Sequence, residues 1–194
     1  MTTSPPMVSD EAFYLREATG TSAVAETART VAAVLARFDI AHLVAGGLAV
    51  QEHGYARVTI DVDIIVPDVL EAAEFGTADL SGHLARVPEA QDRLRDKRSG
   101  VMIDLLPAAQ VLKAGCKVPF PAPTTASDHL QFVTLEELIS LKLDSWANSP
   151  LRRLRDKTDV VELILRRKLR RSLAVLAAVR EMYLETWDAI QAEK

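Results

Sequence analysis

Asp61 and Asp63 stand one residue apart inside the apolar run Val58-Thr59-Ile60-Asp61-Val62-Asp63-Ile64-Ile65-Val66. β-Branched residues dominate this run, so it predicts a strand whose side chains alternate between two faces. Ile60, Val62, Ile64 and Val66 then share a face that should be buried, and the two aspartates share the other. Like charges held side by side raise each other's pKa, and a divalent cation between them removes that conflict. The pair points to a metal-dependent enzyme. The plainer alternative is a charged strand edge that discourages aggregation.

Two further features give the pair company. Gly46-Gly47 lies at a strand-to-helix turn upstream, where paired glycines let backbone approach a phosphate and a helix N-terminus favours an anion. Asp104, 41 residues beyond Asp63, is a lone acid in a second apolar strand, Val101-Met102-Ile103-Asp104-Leu105-Leu106. A third carboxylate there could accept a proton from an attacking hydroxyl or help hold metal. Carboxylates suit Mg²⁺, a hard ion that bridges protein acids to substrate phosphates, with Mn²⁺ as a substitute.

Those residues need a scaffold, and 194 residues with 48% apolar content can build one core with a helical extension. No stretch approaches the roughly 20 apolar residues of a membrane span, and the first ten residues lack a secretory pattern. One cysteine, Cys116, excludes an internal disulfide and a cysteine-based zinc site. The expected compartment is the cytoplasm. The net charge of −4 hides a basic window at 150–171, where nine Lys and Arg face three acids for a net +6. Lacking interleaved aromatics, it reads first as a solvated surface, with a polyanion contact as the alternative.

Residues 1–7 read as a leader, and 9–18 and 21–38 as helices by their three- and four-residue apolar spacing. A strand at 40–45 leads into the glycines, then a short helix at 48–53 closed by Gly54. The acid strand spans 59–66 and stops at Pro67. A helix at 68–75, a strand at 84–87, and a helix or loop at 88–98 precede the Asp104 strand. Residues 118–125 are extended and 130–133 form a last strand. Thr134 and Glu137 then make a capping box that starts a helix to about 147, followed by helices at 151–166 and 169–192. The expected division is an N-terminal leader and helix (1–20), an α/β core (21–133) and a C-terminal helical part (134–194). The fold class is α/β (α+β), a small mixed sheet with flanking helices.

Val44-Ala45-Gly46-Gly47-Leu48-Ala49-Val50, with His53-Gly54, Arg57, Thr59 and Asp61-Val62-Asp63, resembles the nucleotidyltransferase superfamily of DNA polymerase β-like fold. Within it the chain looks most like the AbiEii-type enzymes, which include toxins of toxin–antitoxin and phage-defence systems. The likeness continues in Leu135-x-x-Leu138-Ile139-x-Leu141-Lys142-Leu143 and Arg155-Asp156-Lys157-x-Asp159-Val160. It implies that Gly46 and Gly47 hold a triphosphate, that Asp61 and Asp63 bind Mg²⁺, and that Asp104 is the third catalytic and metal-binding carboxylate. It further implies that Arg57 and Thr59 flank the nucleotide, that Lys142 reaches a phosphate, and that Asp156 orients Lys142 or the nucleotide. Gly47 stands where many members have serine, so any phosphate hold there falls to backbone N–H groups.

The resemblance implies transfer of a nucleoside monophosphate from an NTP to a hydroxyl or phosphate, with RNA, tRNA or protein among the acceptors. A cognate antitoxin is an implied partner, and a membrane is not. Two other readings compete. One is a catalytically silent nucleotide- or partner-binding module of the same fold; the other is a glycosyltransferase, disfavoured because only one strand precedes the Asp-x-Asp. Residue by residue, Lys142 could instead be a snorkelling helix-flank lysine, and Asp156 and Asp159 could pair with local arginines. His42, His53, His83 and His129 show no metal-ligand spacing. Trp146, Tyr183 and Trp187 read as core residues, and Cys116 as inert.

Overall fold

The computed structural model describes residues 22–78 and 82–193; the leader and the helix expected at 9–18 lie outside them. Ser22 caps the first helix, α1 (Ala23–Arg37), by accepting from the Ala25 N–H at 3.1 Å. Its buried Val24, Ala28, Val31 and Leu35 recur at helical spacing and seat it on the sheet. Then come β1 (Leu43–Val44), α2 (Gly46–Glu52), β2 (Asp61–Val66), α3 (Val69–Ala78), β3 (Leu84–Val87), β4 (Ala90–Asp96) and β5 (Met102–Pro107). Helices α4 (Leu135–Asn148), α5 (Leu154–Arg167) and α6 (Arg180–Ala192) complete the chain, with a 3₁₀ turn at Ala177–Val179 before the last.

The five strands form one mixed sheet in the order β1-β2-β5-β4-β3. β2 and β5 run parallel, while β1, β4 and β3 join antiparallel to their neighbours. The fold class expected from the sequence, mixed α/β with flanking helices, is the one observed. Val62, Ile64 and Val66 face α1 and α3 in one hydrophobic cluster. The opposite face of β2 carries Asp61, Asp63 and Ile65. Ile65 joins a second cluster with Ala49, Val50 and the α4–α6 residues Leu138, Leu143, Leu163 and Tyr183. The period-two alternation thus separates an apolar face from an acid-bearing one.

Four expectations need correction. The strand begins at Asp61, not 59, and Ile60 is 59% exposed rather than buried, because residues 57–60 have no ladder partner. Residues 88–98, expected as helix or loop, contain β4. That strand is charge-rich because only Leu94 and Asp96 point into protein, and the rest line solvent or the site. Residues 130–133 are extended but meet β1 only through a Val44–Phe132 bridge. The helix expected from 169 starts at Arg180. Its missing N-terminal part is held open by side chains that take backbone carbonyls: Tyr183 Oη donates to Arg170, Trp187 Nε1 to Leu169 and Arg180 to Leu173.

The capping box at α4 is present, with Thr134 N–H donating to Glu137 at 2.8 Å and Glu137 N–H to Thr134 Oγ1 at 3.3 Å. Gly54 follows α2 at φ +101°, a conformation costly for residues with a Cβ. The β4–β5 turn is tied down by buried Asp96, which accepts from the Arg98 N–H at 2.8 Å and from Thr27 Oγ1 at 2.9 Å. This latch ties the β4–β5 turn to α1.

Candidate active site

The parallel register pairs Asp61 with Met102 and Asp63 with Asp104. On the other side of β5, Asp104 is registered with Arg93 of β4. Registered partners share a face, so Asp63, Asp104 and Arg93 form a row across three strands. Beside them sits a cavity of about 660 Å³, whose lining includes Gly46, Gly47, Arg57, Thr59, Asp61, Asp63, Asp104, Lys142 and Asp156. All nine residues singled out in the sequence line this one cavity.

The glycines pack against the acid strand. Gly46 adopts φ +59°, and a Cβ there would fall 1.6 Å from Asp63 Oδ2; a Cβ on Gly47 would fall 2.2 Å from Thr59 Oγ1. Glycine is needed here for close approach, as well as for the turn. Thr59 is buried, and its hydroxyl donates to Asp61 Oδ1 at 3.2 Å, fixing that carboxylate.

Arg57, Lys142, Asp156 and Asp159 form a buried network. Arg57 Nε and Nη2 donate to the two oxygens of Asp159 at 2.7 and 2.9 Å, a fork-to-fork pair. Lys142 Nζ lies 2.7 Å from Asp156 Oδ1 and 2.9 Å from Asp159 Oδ2. Ser145 Oγ donates to the other oxygen of Asp156 at 2.8 Å. Lys142 is 9% exposed and Asp159 is 0% exposed. Lys142 therefore does not snorkel, and the two aspartates reach across elements rather than pairing only along their own helix. Two cations meet two anions, so the network is neutral while it holds the loop before β2 against α4 and α5.

Burial foremost, then neighbouring Asp61, push the Asp63 carboxyl up to about 7; Lys142 opposes the shift, while Asp104 and Asp156 add to it. Burial likewise raises the Asp104 carboxyl, Arg93 opposing and Asp61 adding. Arg93 Nε lies 2.7 Å from Asp104 Oδ1, yet that buried oxygen has no hydrogen-bond partner among the described residues. The contact is an ion pair without hydrogen-bond alignment.

A divalent cation fits these acids by chemistry. The donors are all oxygen, one buried oxygen is unfilled, and the neighbouring carboxylates penalise each other's charge. As they stand, no three His, Cys, Asp or Glu side chains among the described residues are arranged to grip one ion. Asp104 meets Arg93 instead.

Sequence reasoning missed Arg93 and undervalued Asp159. Arg93 lay in a segment not recognised as a strand, so its register with Asp104 was invisible. Asp159 had a signal, its place in the Arg155-Asp156-Lys157-x-Asp159 motif. His53 Nε2 lies 2.8 Å from the Val133 carbonyl oxygen. Tyr183 is fully buried, and Trp146 carries Lys157 Nζ 4.2 Å above its ring. No helix among the described residues is long and apolar enough to cross a membrane.

No family model matches the chain, and no curated protein matches it. Among solved structures, the antibiotic-resistance factor ANT(2'')-Ia, whose solution structure is described as revealing substrate-regulated conformation dynamics, is similar. The identity is 14%, the match covers 91% of this chain and 95% of that one, and the TM-score is 0.45.

Proposed function

We propose that this chain is a divalent-metal-dependent nucleotidyltransferase that moves a nucleoside monophosphate from an NTP to an acceptor hydroxyl or phosphate. The observation that carries the reading is convergence: residues spread from Gly46 to Asp156 line one cavity, with three acids on one face of adjacent parallel strands. Asp61 and Asp63, with Asp104, would hold Mg²⁺ or Mn²⁺, which when bound neutralises triphosphate charge and stabilises charge developing at the α-phosphorus. Asp104 would accept the acceptor's proton as its oxygen bonds the α-phosphorus and the α–β bridging bond breaks, releasing pyrophosphate. Gly46 and Gly47, on the cavity wall, would hold the triphosphate through backbone N–H groups. Arg57, Thr59, Lys142 and Asp156 order the nucleotide side of the cavity.

Exposed Arg152 and Arg153 on the same cavity favour a polyanionic acceptor such as RNA. The sequence resemblance adds a toxin or phage-defence role with an antitoxin partner, and composition adds the cytoplasm as its compartment. Incubation with each α-labelled NTP, Mg²⁺ and cell extract should label an acceptor, and Asp63→Ala should lose at least about a hundredfold of that activity. Equal labelling by the variant would remove the mechanism. The Arg93–Asp104 pair favours a second reading, a silent nucleotide-binding module. Calorimetric NTP binding without turnover on any acceptor would establish it.

A further inference from the structure

The third acid of the row is already engaged. Asp104 is 25% exposed at its side chain and lies between Asp63 on β2 and Arg93 on β4, both in register with it. Arg93 reaches it from a strand that runs antiparallel, with Nε 2.7 Å from Oδ1. The Arg93 side chain is half exposed, so water can replace its contacts if it swings away. Its hold is also imperfect. Asp104 Oδ1 is buried against Arg93 without a well-aligned hydrogen bond, so the ion pair is its one polar contact among the described residues. The pair opens only when the Arg93 side chain moves away from Asp104.

We propose that Arg93 is a positioning residue that occupies Asp104 in the free protein and competes with a divalent cation for that carboxylate. The row then has two states. In one, Arg93 offsets the repulsion that Asp61 and Asp63 impose on Asp104. In the other, the cation takes over that role, Asp104 joins the acid pair, and Arg93 turns to the open side of the cavity. The half-exposed ion pair is weak, so the cation has a small barrier of affinity to overcome. This inference rests on the metal-dependent reading above and adds the group that the metal must displace.

The test is Mn²⁺ titration by calorimetry and thermal shift on the full chain, with NTP absent. Arg93→Gln should melt lower without metal, yet bind Mn²⁺ about three- to fivefold more tightly than the natural chain. Arg93→Lys keeps the charge and should bind near the natural affinity. In an Asp104→Asn background, Arg93→Gln should leave Mn²⁺ affinity unchanged. A merely structural arginine would lower the melting temperature without tightening the metal. Equal affinity in Arg93→Gln and the natural chain overturns the inference and leaves the transferase reading standing. Absence of Mn²⁺ binding in every variant overturns both.

Discussion

Gly46 and Asp63 are in such close contact that one methyl group on the glycine would overlap the carboxylate, 1.6 Å from Oδ2. The acid strand and the first turn of α2 are therefore a single packed unit. Gly46→Ala should cost about 2–5 kcal/mol, combining a left-handed backbone with overpacking. Urea denaturation measures it. Adding Asp63→Gly should restore part of the loss, because the overlapping side chain is gone. A Gly46→Ala protein as stable as the natural one would show that the strand and turn can separate.

Asp159 serves two cations at once, taking the Arg57 fork and the Lys142 ammonium with no exposure to solvent. Asp159→Ala leaves a largely buried arginine and the buried Lys142 without a shared carboxylate and should cost about 3–5 kcal/mol. The double variant Arg57→Met with Asp159→Ala should be less destabilised than the sum of the two single changes, since removing both charges leaves neither unpaired. Chemical denaturation of the four proteins gives the coupling. Additive losses would mean that the pair does not act as a unit.

Asp63 should make the metal-free protein less stable as pH rises. Its carboxyl is pushed up to about 7 in the folded chain from an ordinary value of 3.8. Between those values the folded state keeps a proton that the unfolded state has released, so stability falls across that window and levels off above it. Asp63→Asn does not titrate and should lack this decline. With chelator present, the stability of Asp63→Asn relative to the natural chain should therefore increase from pH 5 to pH 8. Urea midpoints at the two values check it, and an unchanged difference would contradict the buried-acid assignment.

Where local pattern and burial agreed, the sequence was readable. The alternation from Asp61 to Val66 predicted two faces, and both exist. Thr134 and Glu137 announced the start of α4 because a capping box needs only neighbours in the chain. The segment 88–98 failed for the opposite reason. A strand with only Leu94 and Asp96 turned inward carries almost no apolar signal, so its identity depends on β3 and β5 flanking it.

By itself, then, the sequence determined the mixed α/β class, the acid face of β2, the glycine turn and the nine residues that share a cavity. The first three follow from short-range rules of side-chain period, turn chemistry and caps, whereas Arg57, Thr59, Lys142 and Asp156 among the nine were singled out by the family resemblance. Tertiary structure alone decided who touches whom. It set Arg93 beside Asp104, joined Arg57 to Asp159 across 102 residues, and turned Lys142 inward to two aspartates. Charge pairing acts over a few ångströms in space and has no period along the chain, so only the folded sheet and its packed helices could fix it.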